Sequence, residues 1–339
     1  MPLDIRERVS LAPFTTLGVG GPARFFVRAE SGQELVDALG FANDKSLDVF
    51  VLGGGSNILV SDAGFDGLVV QIALKGIEIE GSQVTTAAGE DWDPFVAQCV
   101  ERGLAGVECL SGIPGFVGGT PVQNVGAYGQ EVSETIRSVR CFDRSTGEIV
   151  ELQNSDCGFT YRTSIFNTTF RDRYIVLSVV FDLEPGGQPK VKYKDLLNHF
   201  GDNEPSLSEV RDAVLKIRRS KSMVIDHGDP NSKSAGSFFK NPIVERTQLA
   251  ELVSKFGEIP NFDFGQRVKV PAAWLIENAG FHKGYVLGNA GTSSNHSLAL
   301  INRGRATASE LLALKDRIQE GVREKYDIEL HPEPIFVGF

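Results

Sequence analysis

The sequence predicts an α+β fold, because helix and strand patterns are interspersed along the chain without strict alternation. Three segments open with a capping box, in which a serine or threonine is followed three residues later by a glutamate and then by an apolar stripe of helical period. Short apolar runs and apolar–polar alternation indicate the strands. The capping boxes are Ser31 with Glu34, Ser206 with Glu209, and Thr307 with Glu310.

A further helix and the strands follow from local patterns. Asp93 and Pro94 are typical of an N-cap and a first helical residue, and Gly103 is typical of a stop. The segments 136–142 and 148–152 flank a polar turn and predict a β-hairpin. The remaining strands are predicted at 24–27, 49–52, 174–183, 298–301 and 335–339.

The composition is that of an ordinary globular enzyme. The 339 residues are 41% hydrophobic and 23% charged, and the chain is long enough for two or three domains. A net charge of −10 argues against general binding to nucleic acid or to an anionic membrane surface. No apolar run approaches the ~18 residues of a membrane span, and residues 1–10 lack the apolar core of a signal peptide. We therefore expect a cytoplasmic protein that binds neither nucleic acid nor membranes.

The cysteines and histidines indicate no metal site. Cys99, Cys109, Cys141 and Cys157 show no CxxC spacing, and we interpret them as buried thiols. The five histidines are scattered and share no ligand spacing. We therefore expect no bound metal.

A dinucleotide-like pattern near the N-terminus is interpreted as a turn. Residues 18–23 match GxGxxA, but that pattern binds pyrophosphate only when it follows a buried strand and opens a helix. Residues 11–17 form no convincing strand, and Pro22 leads into the apolar segment 24–27, which is typical of a strand. We therefore predict a tight turn at this position.

Two other glycine-rich segments are candidates for binding a ligand. Gly53, Gly54 and Gly55 follow the buried run 49–52, so their backbone can approach a ligand closely and direct amides at an anion. Residues 110–129 combine glycine, proline and apolar residues with few charges, which suits a buried cradle for a large planar ligand. Together the two segments would wrap a dinucleotide that has one flat apolar end.

These segments resemble the UDP-N-acetylenolpyruvoylglucosamine reductase (MurB) family, which has the FAD-binding fold of the vanillyl-alcohol-oxidase class. The segment 190–197 with Tyr193 is similar to the tyrosine loop of the longer branch of that family. After Lys221 the family commonly continues Leu-Pro-Asp-Pro, whereas residues 222–226 of this chain are Ser-Met-Val-Ile-Asp. The matching segments are 16–23, 53–57, 111–129, 158–164, 235–242, 272–277, 295–296 and 331–334.

The resemblance implies an architecture and a reaction. The fold would be a split FAD-binding fold of two α+β subdomains, 1–67 and 68–222, with a third α+β substrate-binding domain at 223–330 and a strand at 331–339 that returns near the site. The chain would be a monomer that binds FAD non-covalently and uses NADPH to reduce the enolpyruvyl group of a UDP-sugar in peptidoglycan precursor synthesis. Hydride from flavin N5 would add to the terminal carbon of that group, and its carboxylate would take up the charge as an enediolate before a proton completes the product.

The resemblance also implies roles for individual residues. Ser237 would donate the proton, while Arg162 and Glu333 would hold the enediolate. The FAD-binding residues would be Gly53, Gly54, Gly55, Ser56, Asn57, Ser111, Gly112, Ile113, Gly119, Gln123, Asn124, Gly126, Ala127 and Tyr128. The substrate-binding residues would be Tyr193, Lys221, Lys240, Asn241, Lys283 and His296.

Two other functions stay open at the level of sequence. One is an oxidase of a small alcohol or lactone with the same flavin fold. Such enzymes often tether FAD through a histidine, but the first histidine here is His199, beyond the predicted flavin region, while a link through Cys99 or Cys109 stays open. The other is a flavin or nucleotide-sugar sensor, in which the motifs around Ser237 and Glu333 would be idle. No ribose-reading motif distinguishes NADPH from NADH, and the resemblance favours NADPH.

Overall fold

A computed structural model describes residues 3–339 and confirms the α+β class. Helices and strands follow one another without strict alternation. The helices are α1 (Gly32–Asp44), α2 (Trp92–Glu101), α3 (Lys194–Phe200), α4 (Leu207–Ser220), α5 (Arg246–Phe256), α6 (Ala272–Asn278) and α7 (Ala308–Tyr326). The strands are β1 (Arg6–Ser10), β2 (Pro22–Ala29), β3 (Val49–Leu52), β4 (Ile58–Val60), β5 (Phe65–Ile72), β6 (Ile77–Glu80), β7 (Gln83–Ala87), β8 (Leu104–Ala105), β9 (Gly126–Ala127), β10 (Gln130–Glu131), β11 (Ile136–Asp143), β12 (Glu148–Gln153), β13 (Tyr174–Asp182), β14 (Glu184–Pro185), β15 (Ile243–Val244), β16 (Phe262–Phe264), β17 (Arg267–Lys269), β18 (Val286–Leu287), β19 (Ala290–Thr292), β20 (Leu300–Asn302) and β21 (Ile335–Val337).

The predicted capping boxes begin α1, α4 and α7. Ser206 and Thr307 are the N-caps of α4 and α7, and in both boxes the glutamate side chain reaches back to the N-cap amide. Ser31 caps α1 by accepting the amide of Glu34. The Glu34 carboxylate accepts the amide of Glu30 instead, one residue before the N-cap. Local sequence therefore sets the starts of these three helices.

The predicted N-cap of α2 is wrong by two residues. The cap is Asp91, and Asp93 lies in the first turn of the helix. The Asp93 carboxylate accepts hydrogen bonds from the amide of Gly112 (2.6 Å) and from Arg211 (2.6 and 3.0 Å). It therefore anchors another loop instead of capping its own helix. Pro94 is tolerated because first-turn amides have no intrahelical acceptor.

The described residues form two compact units. The division into domains with boundaries after residues 67, 222 and 330 stays a prediction. Unit 1 contains residues 3–9, 23–55 and 66–224, and unit 2 contains residues 10–22, 56–65 and 225–339.

Unit 1 is organised around two sheets. One has the order β1-β2-β5-β3, with β3 parallel to β5, and the other is antiparallel with the order β12-β11-β13-β7-β6. The predicted hairpin is confirmed as β11 and β12. Trp92, Phe95 and Phe181 are almost fully buried and pack with ring centroids 5.2–6.0 Å apart. This packing fixes the start of α2 against β13.

Unit 2 is organised around α7. Leu311, Leu314 and Ile318 on the buried face of α7 belong to a core that also includes residues of α6 and of the sheet β18-β19-β20. The C-terminal strand β21 pairs in parallel with β4, with Ile335 opposite Ile58. The last strand of the chain therefore lies beside the segment that follows the first glycine-rich loop.

The GxGxxA segment opens no helix, in agreement with the prediction, but the turn itself lies just before it, where the Gly18 amide donates to the Thr15 carbonyl at 3.1 Å. The segment continues directly into β2. A Cβ on Gly20 would lie 2.7 Å from the side chain of Val60, and a Cβ on Gly21 would lie 2.2 Å from the carbonyl oxygen of Asp62. These glycines permit a close approach of the chain to itself.

The cysteines are free and buried, which confirms their interpretation as thiols of the interior. Burial raises the pKa of each of the four thiols, so they stay protonated near neutral pH. Over residues 3–339, no helix is long and apolar enough to cross a membrane. The same residues contain no group of three His, Cys, Asp or Glu side chains arranged to hold a metal ion.

Candidate functional site

The first glycine-rich segment follows β3 and presents its backbone. A Cβ on Gly53 would meet no atom within 4 Å, so this position faces open space. Within the described part of the chain, the amides of Gly53, Gly54 and Gly55 donate no hydrogen bond. Gly55 has a left-handed φ of 63°, which costs glycine little. Three consecutive amides without an acceptor suit a bound anion.

The second glycine-rich segment touches the first. A Cβ on Gly54 would lie 2.6 Å from the Cα of Gly115 and 2.9 Å from the nitrogen of Phe116. The Gly115 carbonyl accepts the amide of Trp92 at 2.9 Å, so the contact is fixed to the start of α2. The structure thus brings together the two segments that the sequence indicated, backbone against backbone.

The second segment is anchored at its start and open in its middle. The Ser111 hydroxyl donates to the carbonyl of Glu108 at 2.6 Å, and both residues are fully buried. Gly112 is tied to Asp93, as described above. A Cβ on Gly119 would meet no atom within 4 Å. Half-buried positions on this segment include Ile113, Gln123 and Ala127.

Arg162 lies at the tip of a tight turn. Thr160 and Thr163 exchange backbone hydrogen bonds of 3.0 and 3.1 Å, which leaves Tyr161 and Arg162 at the tip. Arg162 has a left-handed φ of 55°, which is rare for a residue with a side chain. Its Nη2 donates to the carbonyl of Gly126 at 2.7 Å. The predicted catalytic arginine is therefore joined to a predicted cofactor residue.

Tyr128, Tyr193 and Lys221 form a cluster in unit 1. The two tyrosine rings meet edge to face with centroids 5.5 Å apart, and the Lys221 ammonium lies 6.0 Å from the Tyr128 ring. Lys221 also forms an ion pair of 2.9 Å with Asp195. Burial raises the pKa of Tyr193, and the Asp195 carboxylate raises it further. Tyr193 therefore stays a hydrogen-bond donor at neutral pH.

Arg218 is a buried cation that sequence reasoning missed. It is 7% exposed, and its Nε has no hydrogen-bond partner among residues 3–339. This Nε would lie 3.3 Å from a Cβ on Gly112. Burial lowers the pKa of Arg218, while the nearby Tyr128 hydroxyl and Asp93 raise it. An arginine on the stripe that begins with Val210 and Val214 was the signal available in the sequence.

Arg218 also forms hydrogen bonds with the atypical segment that follows Lys221. The Met223 amide donates to the Arg218 carbonyl at 2.9 Å, and Nη2 of Arg218 donates to the Met223 carbonyl at 2.7 Å. Ser222 between them is buried with a left-handed φ of 55°. These residues therefore form a fixed end to α4.

The residues of unit 1 fit FAD. The amides of Gly53 to Gly55 suit its pyrophosphate, and Gly53 and Gly119 face open space where a ligand can approach the backbone. The partnerless Nε of buried Arg218, which lies near Gly112, suits a ligand oxygen at the start of the second segment.

Ser237 and Glu333 lie on neighbouring stretches of unit 2. The Glu333 amide donates to the carbonyl of Phe238 at 2.9 Å, and the Lys240 amide donates to the carbonyl of His331 at 2.9 Å. Ser237 directly precedes Phe238, and both Ser237 and Glu333 are half-buried. The structure therefore brings the backbone positions of these two predicted catalytic residues together.

Asn57 is hydrogen-bonded to the Glu333 stretch within unit 2. Its Nδ2 donates to the Glu333 carbonyl at 3.2 Å, and its own carbonyl accepts the amide of Ile335 at 3.0 Å. The carbonyl of the neighbouring Ser56 accepts the hydroxyl of Thr16 at 3.4 Å. These contacts fix the Asn57 side chain to the protein backbone.

The other predicted substrate residues of unit 2 differ in surroundings. The Asn241 Oδ1 accepts the amide of Ala272 at 2.9 Å, at the start of α6. Lys283 is exposed on the turn before β18, and His296 is half-buried on the loop before β20.

Comparison with known proteins identifies both halves of the chain. A family model described as FAD binding domain matches residues 23–153. A second, described as UDP-N-acetylenolpyruvoylglucosamine reductase, C-terminal domain, matches residues 229–337.

Full-length relatives agree with the family models. The chain is 45% identical to the UDP-N-acetylenolpyruvoylglucosamine reductase of Thermobifida fusca, over 100% of this chain and 99% of that protein, and 46% identical to that of Streptomyces coelicolor, over 99% and 91%. The crystal structure of UDP-N-acetylenolpyruvylglucosamine reductase (MurB) from Thermus caldophilus matches with a TM-score of 0.70 and 27% identity, over 98% of this chain and 99% of that one. The chain belongs to the UDP-N-acetylenolpyruvoylglucosamine reductase (MurB) family.

Proposed function

We propose that this chain reduces UDP-N-acetylglucosamine enolpyruvate to UDP-N-acetylmuramate for peptidoglycan precursor synthesis, with FAD as cofactor and NADPH as reductant. Membership of the family supports the reaction. The observation that carries the chemistry is the hydrogen-bonded pairing of the Ser237 and Glu333 stretches. The alternative, an oxidase of a small alcohol or lactone, has no use for this pairing and is not favoured.

The residues of the chain supply the proton and hold the charge. When bound, FAD supplies the hydride that it takes from NADPH. Ser237 donates the proton to the substrate carbon next to the carboxylate. An alcohol is a weak acid, but the carbanionic centre of an enediolate is a base strong enough to take its proton.

Arg162 and Glu333 hold the substrate carboxylate while it takes up charge. The Arg162 guanidinium is fixed by its bond to Gly126, so it can stabilise the enediolate with little reorganisation. An ionised carboxylate would repel the enediolate, so Glu333 acts as a neutral hydrogen-bond donor.

The pyrophosphate and sugar of the substrate need donors that an acidic protein concentrates locally. Tyr193 and Lys221 supply a hydroxyl and an ammonium group from one cluster. We assign the same class of contact to Lys240, Asn241, Lys283 and His296. We also propose that the chain acts as a monomer in the cytoplasm, where NADPH and nucleotide sugars are available, and that its substrate-binding domain is 223–330.

Stopped-flow measurement of the two half-reactions tests the role of Ser237. With Ser237→Ala, NADPH should still reduce the flavin at nearly the wild-type rate, because that step takes no proton from Ser237. Reoxidation by the enolpyruvyl substrate should slow by ~10²–10⁴, the usual worth of a positioned proton donor. An equal loss in both half-reactions would show that Ser237 is only structural.

A further inference from the structure

The polar atoms of the Asn124 side chain form hydrogen bonds within the protein. It is 1% exposed, and its Oδ1 accepts the amide of Ser133 at 3.1 Å. Its Nδ2 donates to the Glu131 carboxylate at 2.8 Å and to the carbonyl of Thr160 at 3.1 Å. Both amide hydrogens are therefore used, so the side chain has no donor left for a ligand.

The Thr160 carbonyl belongs to the turn that carries Arg162. Thr160 and Thr163 close this turn, and Arg162 at its tip is held in the left-handed region. A residue other than glycine is strained in that region and stays there only when its surroundings hold it. The bond from Asn124 fixes the turn at its first residue.

A second contact ties the same two segments together. The Arg162 guanidinium donates to the carbonyl of Gly126, two residues after Asn124. Asn124 has a left-handed φ of 45°, which asparagine tolerates better than most residues with a side chain. This conformation sets the direction of the chain that leads to the Gly126 carbonyl. Asn124 therefore acts on Arg162 through its side chain and through its backbone.

We infer that Asn124 is a positioning residue that sets the guanidinium of Arg162 for the substrate carboxylate, and that its side chain does not bind the cofactor. This inference rests on the role proposed above for Arg162. An aspartate would place a carboxylate against both Glu131 and the Thr160 carbonyl. The amide group is therefore required, and not merely a side chain of that size.

The test uses the FAD-loaded protein and separates the effect of the Asn124 backbone conformation from the effect of its side-chain hydrogen bonds. Asn124→Gly keeps a residue that accepts the left-handed φ but removes the side-chain bonds. Asn124→Asp keeps the size but removes the donor. Ser46→Gly is the control, because Ser46 is exposed, has a similar φ of 51° and lies at the end of α1.

Both Asn124 variants should keep their FAD and the wild-type rate of flavin reduction by NADPH. Reoxidation by the enolpyruvyl substrate should slow on the order of 10- to 100-fold, as expected when a binding group is misplaced. In an Arg162→Ala background the further loss from Asn124→Gly should nearly vanish, because the two residues act as one unit. Ser46→Gly should match the wild type throughout.

Loss of FAD from both Asn124 variants would overturn the inference, because it would indicate a role in cofactor binding or in folding. Equal slowing by Asn124→Gly with and without Arg162 would also overturn it, because the residue would then act independently. Failure of the proposed function is distinguishable, since the wild-type flavin itself would not be reoxidised by the enolpyruvyl substrate.

Discussion

A single methyl group at Gly54 should separate the two glycine-rich segments. In Gly54→Ala the new Cβ would lie 2.6 Å from the Cα and 2.9 Å from the carbonyl carbon of Gly115. These are backbone atoms and cannot rotate away as the end of a side chain can. In the matched variant Gly53→Ala, the new Cβ would meet no atom within 4 Å.

The magnitude follows from the two contacts. Overpacking of this kind costs typically 1–3 kcal/mol. At about 2–4 °C per kcal/mol for a domain of this size, the FAD-free protein should lose roughly 2–12 °C in Tm. Gly53→Ala should leave the Tm of the FAD-free protein unchanged. Its methyl group would instead occupy space beside the amides that we assign to the pyrophosphate.

Calorimetry of the FAD-free proteins and titration with FAD, followed by flavin fluorescence, separate the two effects. Gly54→Ala should show a lowered Tm in calorimetry. Gly53→Ala should show the wild-type Tm in calorimetry and weaker FAD binding in the titration. A Gly54→Ala protein as stable as the wild type would refute the contact between the loops. A Gly53→Ala protein that binds FAD normally would refute the position of the cofactor.

Three further predictions concern other parts of the chain. Gly40→Ala, in the exposed middle of α1, should raise the stability measured by urea unfolding by roughly 0.5–1 kcal/mol, since glycine weakens a helix and a Cβ there meets nothing within 4 Å; no gain would contradict the helix. Burial raises the pKa of Asp93, but bonds from Arg211 and the Gly112 amide outweigh it and hold that pKa below its usual value. The difference in unfolding free energy between wild type and Asp93→Asn should therefore have its full size at pH 7 and shrink below about pH 4, because Asp93 is then protonated. A difference that grows in acid would contradict a lowered pKa of Asp93. Glu333→Gln should retain much more flavin reoxidation than Glu333→Ala in stopped flow, and equal damage by both would exclude a neutral-donor role.

The sequence predicted the structural features that depend on residues close to one another in the chain. The capping boxes at Ser206 and Thr307 and the hairpin of β11 and β12 depend on neighbouring residues, and each formed as expected. The amides of Gly53 to Gly55 donate no hydrogen bond among residues 3–339, as an anion nest requires, and their role in binding stays a prediction.

Long-range partners could not be read from the sequence. Asp93 looks like an N-cap, but Arg211 lies 118 residues away and claims its carboxylate. Arg218 shares the apolar stripe of Val210 and Val214, but the sequence does not show that packing buries its Nε near Gly112, 106 residues earlier in the chain. Asn124 was expected to bind the cofactor, and its bond to Thr160 depends on a turn 36 residues further on. Such roles follow from the fold and not from a motif.

An anaerobic titration of the purified protein tests the reduction of the enolpyruvyl group most directly. NADPH should bleach the bound flavin, and an equimolar amount of UDP-N-acetylglucosamine enolpyruvate should restore its colour and yield the same amount of UDP-N-acetylmuramate. A flavin that stays reduced with this substrate, and recovers its colour only when oxygen is admitted, would contradict the proposed function.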